Sequence, residues 1–199
     1  MQISLDAIEY FFPKLSDATF AQLQYFCTLV HTKNKVLNLI SRKDIDRIVE
    51  AHLLPSLAIF LKNPFPQNTT VLDIGTGGGF PGLPLAIVAP LAHFTLVDSV
   101  KKKIRAVEEF VAALGLKNVT CIGDRVENLH RKYHSITGRA LSNLDDFYAL
   151  AKPHLNPNGK IFYLTGGEIA PTKNTTVVDL CELYGRQFCE TKKLLITSV

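Results

Sequence analysis

The residues between positions 71 and 82 have the clearest chemical use in this sequence, and they read VLDIGTGGGFPG. Apolar, strand-forming residues lead into a turn with glycine at 75, 77, 78 and 79, and a helical pattern follows. Glycine in such a turn lets the backbone bend tightly and lets a ligand approach more closely than a Cβ atom would allow. Four glycines in five residues are more than a helix cap requires, so this segment predicts a ligand-binding loop.

The spacing of these glycines discriminates between nucleotide cofactors. The nicotinamide and flavin fingerprint GxGxxG would need its third glycine at position 80, which is Phe80. Instead, Gly75, Gly77 and Gly79 follow Asp73 in the DxGxGxG order that is usual for enzymes using S-adenosylmethionine. The pattern therefore predicts that Asp73 and these three glycines hold S-adenosylmethionine.

Two further acidic positions fit a bound nucleoside. Asp98 ends the next expected strand, 19 residues after Gly79, where a carboxylate can accept hydrogen bonds from a ribose diol. The alternative for Asp98 is an ordinary surface aspartate at a strand end. Residues 124–127 follow the third expected strand and should lie beside the adenine, although Asp124 can also cap a following helix.

From residue 69 onward, short apolar strands alternate with helical patterns, which is typical of a mostly parallel sheet with helices on both faces. The expected strands cover 69–74, 93–98, 118–122, 134–138 and 159–164, and the expected helices cover 82–89, 100–114, 124–132 and 144–154. Weaker signals after residue 175 predict one helix and two short strands that complete the sheet. The fold class expected is α/β, with the Rossmann-like architecture of class I methyltransferases.

The segment before residue 65 is helical in pattern. Ser16 should cap one helix, and Ser41 with Asp44 has the spacing of a capping box for a second. We expect a single domain over 1–199, in which a helical appendage (1–64) joins the α/β core (69–199). The apolar face of the second helix is formed by Ile45, Ile48, Val49, His52, Leu53, Ser56 and Leu57.

Composition and local sequence patterns limit the class of protein and its compartment. The 199 residues are 47% hydrophobic and 20% charged, enough for one compact core. Acidic Asp6 and Glu9 argue against a signal peptide, and no apolar run reaches the roughly 18 residues of a membrane span, so a cytoplasmic protein without a membrane partner is expected. No cysteine lies at metal-ligand or CxxC spacing, so neither metal nor disulfides are expected; the cysteines are Cys27, Cys121, Cys181 and Cys189.

The formal charge of +4 is mild, but the basic residues are clustered. Lys101, Lys102 and Lys103 with Arg105 begin the helix after Asp98, and Arg42 belongs to a second cluster on the N-terminal helices. Such clusters are either solvated helix surface or contacts for RNA phosphates.

The sequence resembles the 16S ribosomal RNA (guanine-N7) methyltransferases, also called glucose-inhibited division protein B. The string GTGGGFPGLPLA after Asp73 is long and specific, and shorter matches follow in the family's order from about residue 35 to 167. These shorter matches are Asn38-Leu39, His52, residues 94–99, Arg125-Val126-Glu127 and Arg139-Ala140.

The resemblance implies methyl transfer from S-adenosylmethionine to N7 of a guanine in 16S RNA of the small ribosomal subunit. It also implies that Arg139 lies beside the methyl-transfer position and that His52 is an RNA contact, although His52 could equally be a packing residue. Cofactor contacts implied by the family are Gly75, Phe80, Val126, Glu127 and Arg139, with Asp98 on the ribose.

Three positions depart from the family pattern. After the fifth strand, where the family usually has a lysine, this sequence has Thr165. Three residues after His52, where the family commonly has an acidic residue, it has Pro55. For the basic residue that the family has near the C-terminus, Lys192 and Lys193 are the nearest candidates. These departures affect the expected RNA surface more than the cofactor site.

Methylation at guanine N7 needs no general base, because N7 carries an exposed lone pair, and positioning can supply most of the catalysis. The alternatives are a methyltransferase acting on another RNA base or a small molecule, a nucleotide-dependent oxidoreductase, and a non-catalytic protein that binds cofactor and docks on the small subunit.

Overall fold

The computed structural model describes residues 4–139, 143–167, 169, 173–185 and 191–198. Within these ranges the helices are α1 (Asp6–Phe11), α2 (Asp17–Asn34), α3 (Leu54–Lys62), α4 (Gly82–Val88), α5 (Lys101–Leu114), α6 (Leu144–Ala151) and α7 (Leu180–Tyr184). The strands are β1 (Thr70–Ile74), β2 (His93–Val97), β3 (Val119–Ile122), β4 (Tyr133–Arg139), β5 (Leu155–Gly166), β6 (Thr175–Asp179) and β7 (Lys192–Ser198).

These strands form one sheet in the order β3-β2-β1-β4-β5-β7-β6. β1 to β5 are parallel, and β7 is antiparallel to both of its neighbours, β5 and β6. The chain winds outward from β1 to β3 on one side and then continues from β4 on the other. The crevice between the carboxyl ends of β1 and β4 is the place where open α/β sheets bind ligands.

Alternate residues of the strands bury against opposite layers, as a strand with two covered faces requires. On β1, Val71 belongs to the larger apolar cluster, which includes α2 to α5, whereas Leu72 belongs to a smaller cluster with Phe147 of α6. The fold is therefore the expected Rossmann-like α/β architecture, with helices on both faces of a mostly parallel sheet.

Most of the strands and helices expected from the sequence are confirmed, including the C-terminal helix and its two flanking strands. The helix expected over 124–132 is wrong: only a 3-10 turn forms, at Val126–Asn128, and Leu129 is extended. The carboxylate of Asp124 accepts from the Arg125 amide at 2.7 Å and from the Asn128 side chain at 2.9 Å, which stabilises the turn. The extended backbone after this turn allows a short segment to connect β3, at the edge of the sheet, with β4 on the other side of β1.

Of the two helix caps predicted in the N-terminal segment, one is confirmed and the other is wrong. The Ser16 hydroxyl accepts from the Thr19 amide at 3.2 Å and caps α2. Ser41 and Asp44 make no capping box; a 3-10 turn (Ile45–Arg47) and a π-helical turn (Val49–Leu53) precede α3 instead. The Asp44 side chain caps no helix, and its Oδ2 lies 3.3 Å from Nε2 of His52, eight residues later in the chain.

A buried carboxylate fixes the crevice between β1 and β4. Asp73 of β1 is fully buried, and its Oδ2 accepts from the Gly82 amide at the start of α4 at 3.1 Å. Its Oδ1 accepts from the Thr137 hydroxyl of β4 at 2.8 Å. Burial raises the pKa of Asp73 to about 6, against the lowering effect of these hydrogen bonds, of Thr76 and of the Arg139 charge.

We expect Asp73 to make the stability of the protein pH-dependent. Because its pKa is higher in the folded chain, its contribution is largest below pH about 4 and is lost as the pH rises to about 6. In Asp73→Asn the amide can donate to Thr137 and accept from Gly82, so this pH dependence should disappear. Urea unfolding of both proteins between pH 4 and 7 should show a difference that changes by up to about 3 kcal/mol. Parallel pH profiles would show that the Asp73 pKa is not raised.

Candidate active site

The glycine turn after β1 uses backbone conformations that favour glycine. Gly75, Gly77 and Gly79 have φ values of 67°, 57° and 91°, in the left-handed region. Gly75 and Gly77 line a cavity, whereas a Cβ on Gly79 would lie 2.7 Å from Cδ1 of Leu83 in α4. The first two glycines therefore shape the cavity, and Gly79 allows α4 to pack against the turn.

Asp98, the residue after β2, holds this turn in place. Its Oδ2 accepts from the Gly77 amide at 2.9 Å and its Oδ1 accepts from the Val100 amide at 2.8 Å. The side chain lines the same cavity and is 7% exposed. Each carboxylate oxygen has a second lone pair, so Asp98 can still accept a hydrogen bond from a ligand.

The cavity has a volume of about 530 Å³ and lies in the crevice between β1 and β4. Its wall brings together most of the residues expected to bind cofactor, but Asp73, Gly79 and Phe80 lie outside it. The lining residues are Leu39, Ile74, Gly75, Thr76, Gly77, Val97, Asp98, Ser99, Lys103, Asp124, Arg125, Val126, Glu127, Arg139 and Leu150.

Phe80, which the family resemblance implies as a cofactor contact, does not line this cavity. Its ring is fully buried, 4.9 Å from the ring of Phe26 and 5.3 Å from that of His52. The guanidinium carbon of Arg139 lies 5.1 Å from the centre of the Phe80 ring. Phe80 thus supports Arg139 through a cation–π contact.

Arg139 ends β4 and donates from its guanidinium to Nδ1 of His52. The Nε2 atom of His52 lies 3.3 Å from Oδ2 of Asp44, which completes a row of three polar side chains. Burial, then the charges of Arg139 and Lys192, lower the pKa of His52 to about 2, so the imidazole is neutral. Because Nδ1 accepts from Arg139, the proton of this neutral ring is assigned to Nε2.

Arg139 itself is held as a cation despite burial. Burial lowers its pKa to about 10, and the carboxylates of Asp73 and Asp44 oppose that change. At neutral pH the guanidinium is therefore charged, and it is fixed between a neutral histidine and the Phe80 ring.

A second cavity, of about 320 Å³, meets the first at Arg139, which lines both. Elements distant in sequence form its wall. Pro55 and Thr165, which depart from the family pattern, belong to it, as does Lys192, one of the two basic candidates near the C-terminus. The lining residues are Asp44, Ala51, His52, Pro55, Arg139, Tyr163, Leu164, Thr165, Gly166, Thr191 and Lys192.

Only part of the expected RNA-binding set reaches these cavities. Lys103 lines the first cavity and His52 the second. The exposed side chains of Lys101, Lys102 and Arg105 extend from the start of α5 outside both walls, and the exposed Arg42 also lies outside them. Ala140, part of the family match, lies outside the described residues.

Sequence reasoning missed several residues of the two walls. Arg125 is not one of them, because the sequence already places residues 124–127 beside the adenine, and it lines the first cavity. Leu39 belongs to a short family match, but the sequence does not predict that it lines the cofactor cavity. It is positioned because the buried Asn34 accepts from the amides of Leu39 at 2.8 Å and Ile40 at 3.0 Å. For Asp44, the sequence pattern predicts only a helix cap.

Two wider features concern the described part of the chain as a whole. No helix there has the length and apolarity needed to cross a lipid bilayer. The described His, Cys, Asp and Glu side chains form no cluster suited to a metal ion.

Comparisons of structure support the fold. An S-adenosylmethionine-dependent methyltransferase from Aquifex aeolicus superimposes with a TM-score of 0.61 at 17% identity, covering 85% of this chain and 98% of the other. The ribosomal protein L11 methylase of Lactobacillus delbrueckii subsp. bulgaricus gives a TM-score of 0.54 at 18% identity, over 73% and 76% of the two chains.

Comparisons of sequence are more specific. A protein of Flavobacterium johnsoniae named ribosomal RNA small subunit methyltransferase G is 40% identical over 96% of both chains. A protein of the same name from Bacteroides thetaiotaomicron is 38% identical over 98% of this chain and all of its own. The family model described as rRNA small subunit methyltransferase G matches residues 19–188. This chain therefore belongs to the rRNA small subunit methyltransferase G family.

Proposed function

We propose that this protein transfers a methyl group from S-adenosylmethionine to N7 of a guanine in the 16S ribosomal RNA of the small subunit. The observation that carries the proposal is the pair of cavities that meet at Arg139, in a chain that belongs to this family. One cavity suits a nucleoside cofactor, and the other can receive a base. A reaction on ribosomal RNA also supports the proposal that the protein is cytoplasmic.

The residues of the first cavity fit S-adenosylmethionine. Gly75 and Gly77 both line the cavity with positive φ, and a Cβ added at Gly77 would lie 3.7 Å from the carbonyl oxygen of Leu39, another residue of the cavity wall. Asp98 offers carboxylate oxygens to the ribose hydroxyls, and Val126 and Glu127 lie on the turn that would face the adenine. The cofactor supplies an electrophilic methyl group on a sulfonium centre.

Arg139 is the residue proposed to position the reacting groups. It lies where the two cavities meet, and its orientation is fixed by His52 and by the Phe80 ring. Because His52 has a pKa of about 2 and directs Nδ1 to Arg139, it is not a general base. This supports a reaction such as N7 methylation, in which no proton has to be removed and orientation provides the rate enhancement.

The N-terminal helices are proposed to belong to the same folding unit as the α/β core, as one domain over 1–199. Residues of α2, α3 and α5 share one apolar cluster with Phe80 and with β1. In that cluster Phe26 lies 6.1 Å from Phe110 of α5 by ring centres. The loop after α2 also supplies Leu39 to the first cavity, so the appendage contributes directly to the site.

The test of the proposal is methyl transfer to isolated small subunits. Subunits from bacteria lacking this activity should accept labelled methyl groups, and nuclease digestion followed by mass spectrometry should identify 7-methylguanosine in the 16S RNA. A different methylated nucleoside would support the alternative of another target base. Cofactor binding without transfer would support the docking protein, and binding of NADH would support the oxidoreductase.

Gly77→Val should abolish S-adenosylmethionine binding, because it would add a side chain at the cavity wall beside Leu39 and strain the backbone at a positive φ. Gly115→Val is a matched control: Gly115 has a φ of 66°, and an added Cβ would meet nothing within 4 Å. Titration calorimetry should show no binding by the first variant and wild-type affinity in the second. Equal affinities would remove the glycine turn from the site.

The basic cluster on α5 is proposed to contact RNA phosphates. Replacing Lys101, Lys102, Lys103 and Arg105 with glutamine should weaken binding to small subunits and flatten its salt dependence. For single-stranded RNA, the slope of log affinity against log salt should fall by about 0.7 for each phosphate that is no longer neutralised. Lys117→Gln, an exposed lysine just beyond the other end of α5, serves as the control. An unchanged slope in the quadruple variant would leave these residues as solvated helix surface.

A further inference from the structure

We propose that Asp44 and His52 recognise the target guanine by its Watson–Crick edge and thereby determine base specificity. In this arrangement the base occupies the second cavity, the Asp44 carboxylate accepts from the guanine N1–H and 2-amino groups, and His52 Nε2–H donates to O6. The inference rests on the proposed function, since it assigns the recognition of the base that is methylated.

The second cavity has the size and accessibility for one base. Its volume of about 320 Å³ is at the small end of the range of about 300–1,000 Å³ seen for small-molecule sites. The Asp44 side chain is 42% exposed, so its carboxylate is reachable from solvent. Enzymes that act on a base commonly take it out of the stack into such a pocket and bind its Watson–Crick edge there.

The order of the protein groups matches the order of atoms along guanine. Asp44 faces His52, which contacts Arg139, and Arg139 also lines the first cavity. Guanine presents, in sequence, the 2-amino group, N1–H, O6 and N7. When the first two donors lie at Asp44 and O6 lies at His52, N7 is directed toward Arg139 and the cavity proposed for the cofactor.

The hydrogen-bonding inventory of the wall favours guanine over the other bases. Among the described residues that line the second cavity, Asp44 is the single carboxylate. A carboxylate only accepts hydrogen bonds, and guanine has two adjacent donors on its Watson–Crick edge, whereas adenine has a donor beside an acceptor. The His52 Nε2 atom is buried and lacks an aligned hydrogen-bond partner in the described structure, although Asp44 Oδ2 is 3.3 Å away. A carbonyl oxygen of the base would satisfy that donor.

The same carboxylate suits the charge that develops during transfer. The N7 lone pair forms the new bond to the methyl carbon, the carbon–sulfur electron pair leaves with sulfur, and the positive charge passes to the guanine ring. Since N1–H becomes more acidic as that charge develops, its hydrogen bond to Asp44 is stronger in the transition state than in the ground state. His52 is neutral and adds no further positive charge beside Arg139 and Lys192.

The arrangement also explains why Asp44 is held outside a regular helix. Its amide donates to the Ser41 carbonyl at 3.0 Å, and its carbonyl accepts from the Arg47 amide at 3.0 Å, so the backbone is fixed while the side chain stays directed to the cavity. Asp46, two residues later, is exposed and outside the cavity wall, which makes it a matched control.

The test compares small subunits reconstituted with guanosine or inosine at the methylated position, because inosine differs from guanosine only in lacking the 2-amino group. The wild-type protein should methylate inosine about 10–100-fold less efficiently in kcat/KM, the value of one hydrogen bond to a charged group. Asp44→Asn should have a lower kcat/KM on guanine and a guanine-to-inosine ratio near one. Asp46→Asn should keep the wild-type rate and ratio.

S-adenosylmethionine affinity, measured by calorimetry, should be the same in all three proteins. If Asp44→Asn is inactive on both substrates but retains this affinity, the result still supports recognition by Asp44. A loss of cofactor affinity, or a guanine-to-inosine ratio equal to that of the wild type, would overturn the proposal. These outcomes differ from failure of the proposed function, in which the wild-type protein itself leaves guanine subunits unmethylated.

Discussion

The buried carboxylate of Asp73 is the interaction on which the rest of the site depends. It holds the start of α4 through Gly82 and the middle of β4 through Thr137. Those two contacts set the width of the crevice between β1 and β4, and hence the distance from the glycine turn to Arg139. Since a buried carboxylate is costly unless its oxygens are satisfied, the hydrogen bonds also confine the chain to this one arrangement.

A second constraint is the placement of positive charge. Arg139 and Lys192 both line the second cavity, and two cations near each other disfavour a third. The imidazole of His52 lies between Arg139 and Asp44 and stays neutral, so it orients the Arg139 guanidinium without adding charge. The net result is a rigid cationic side chain at the junction of the cavities, supported by an aromatic ring.

The sequence allowed the sheet, the glycine turn and Asp98 to be predicted, because each depends on local pattern or on a spacing fixed by one βαβ unit. The row formed by Asp44, His52 and Arg139 could not be predicted, since 87 residues separate Arg139 from His52 and only the packed sheet brings them together. Local patterns misled at Asp44, where capping spacing competed with a tertiary contact. The surroundings of Phe80 could not be predicted for the same reason: its neighbours come from α2 and β4.

The position of β7 has a consequence for how the chain is made. Of the strands that the structure describes, β7 is the last in sequence, yet it lies inside the sheet, between β5 and β6. While a ribosome is still synthesising residues 192–198, the nascent chain exposes the unpaired edge of β5, which is the kind of surface that chaperones or other chains can occupy. Lys192 and Thr191 complete the second cavity at the same moment. The nascent chain thus acquires this cavity only after Lys192 has left the same class of particle that supplies its proposed substrate.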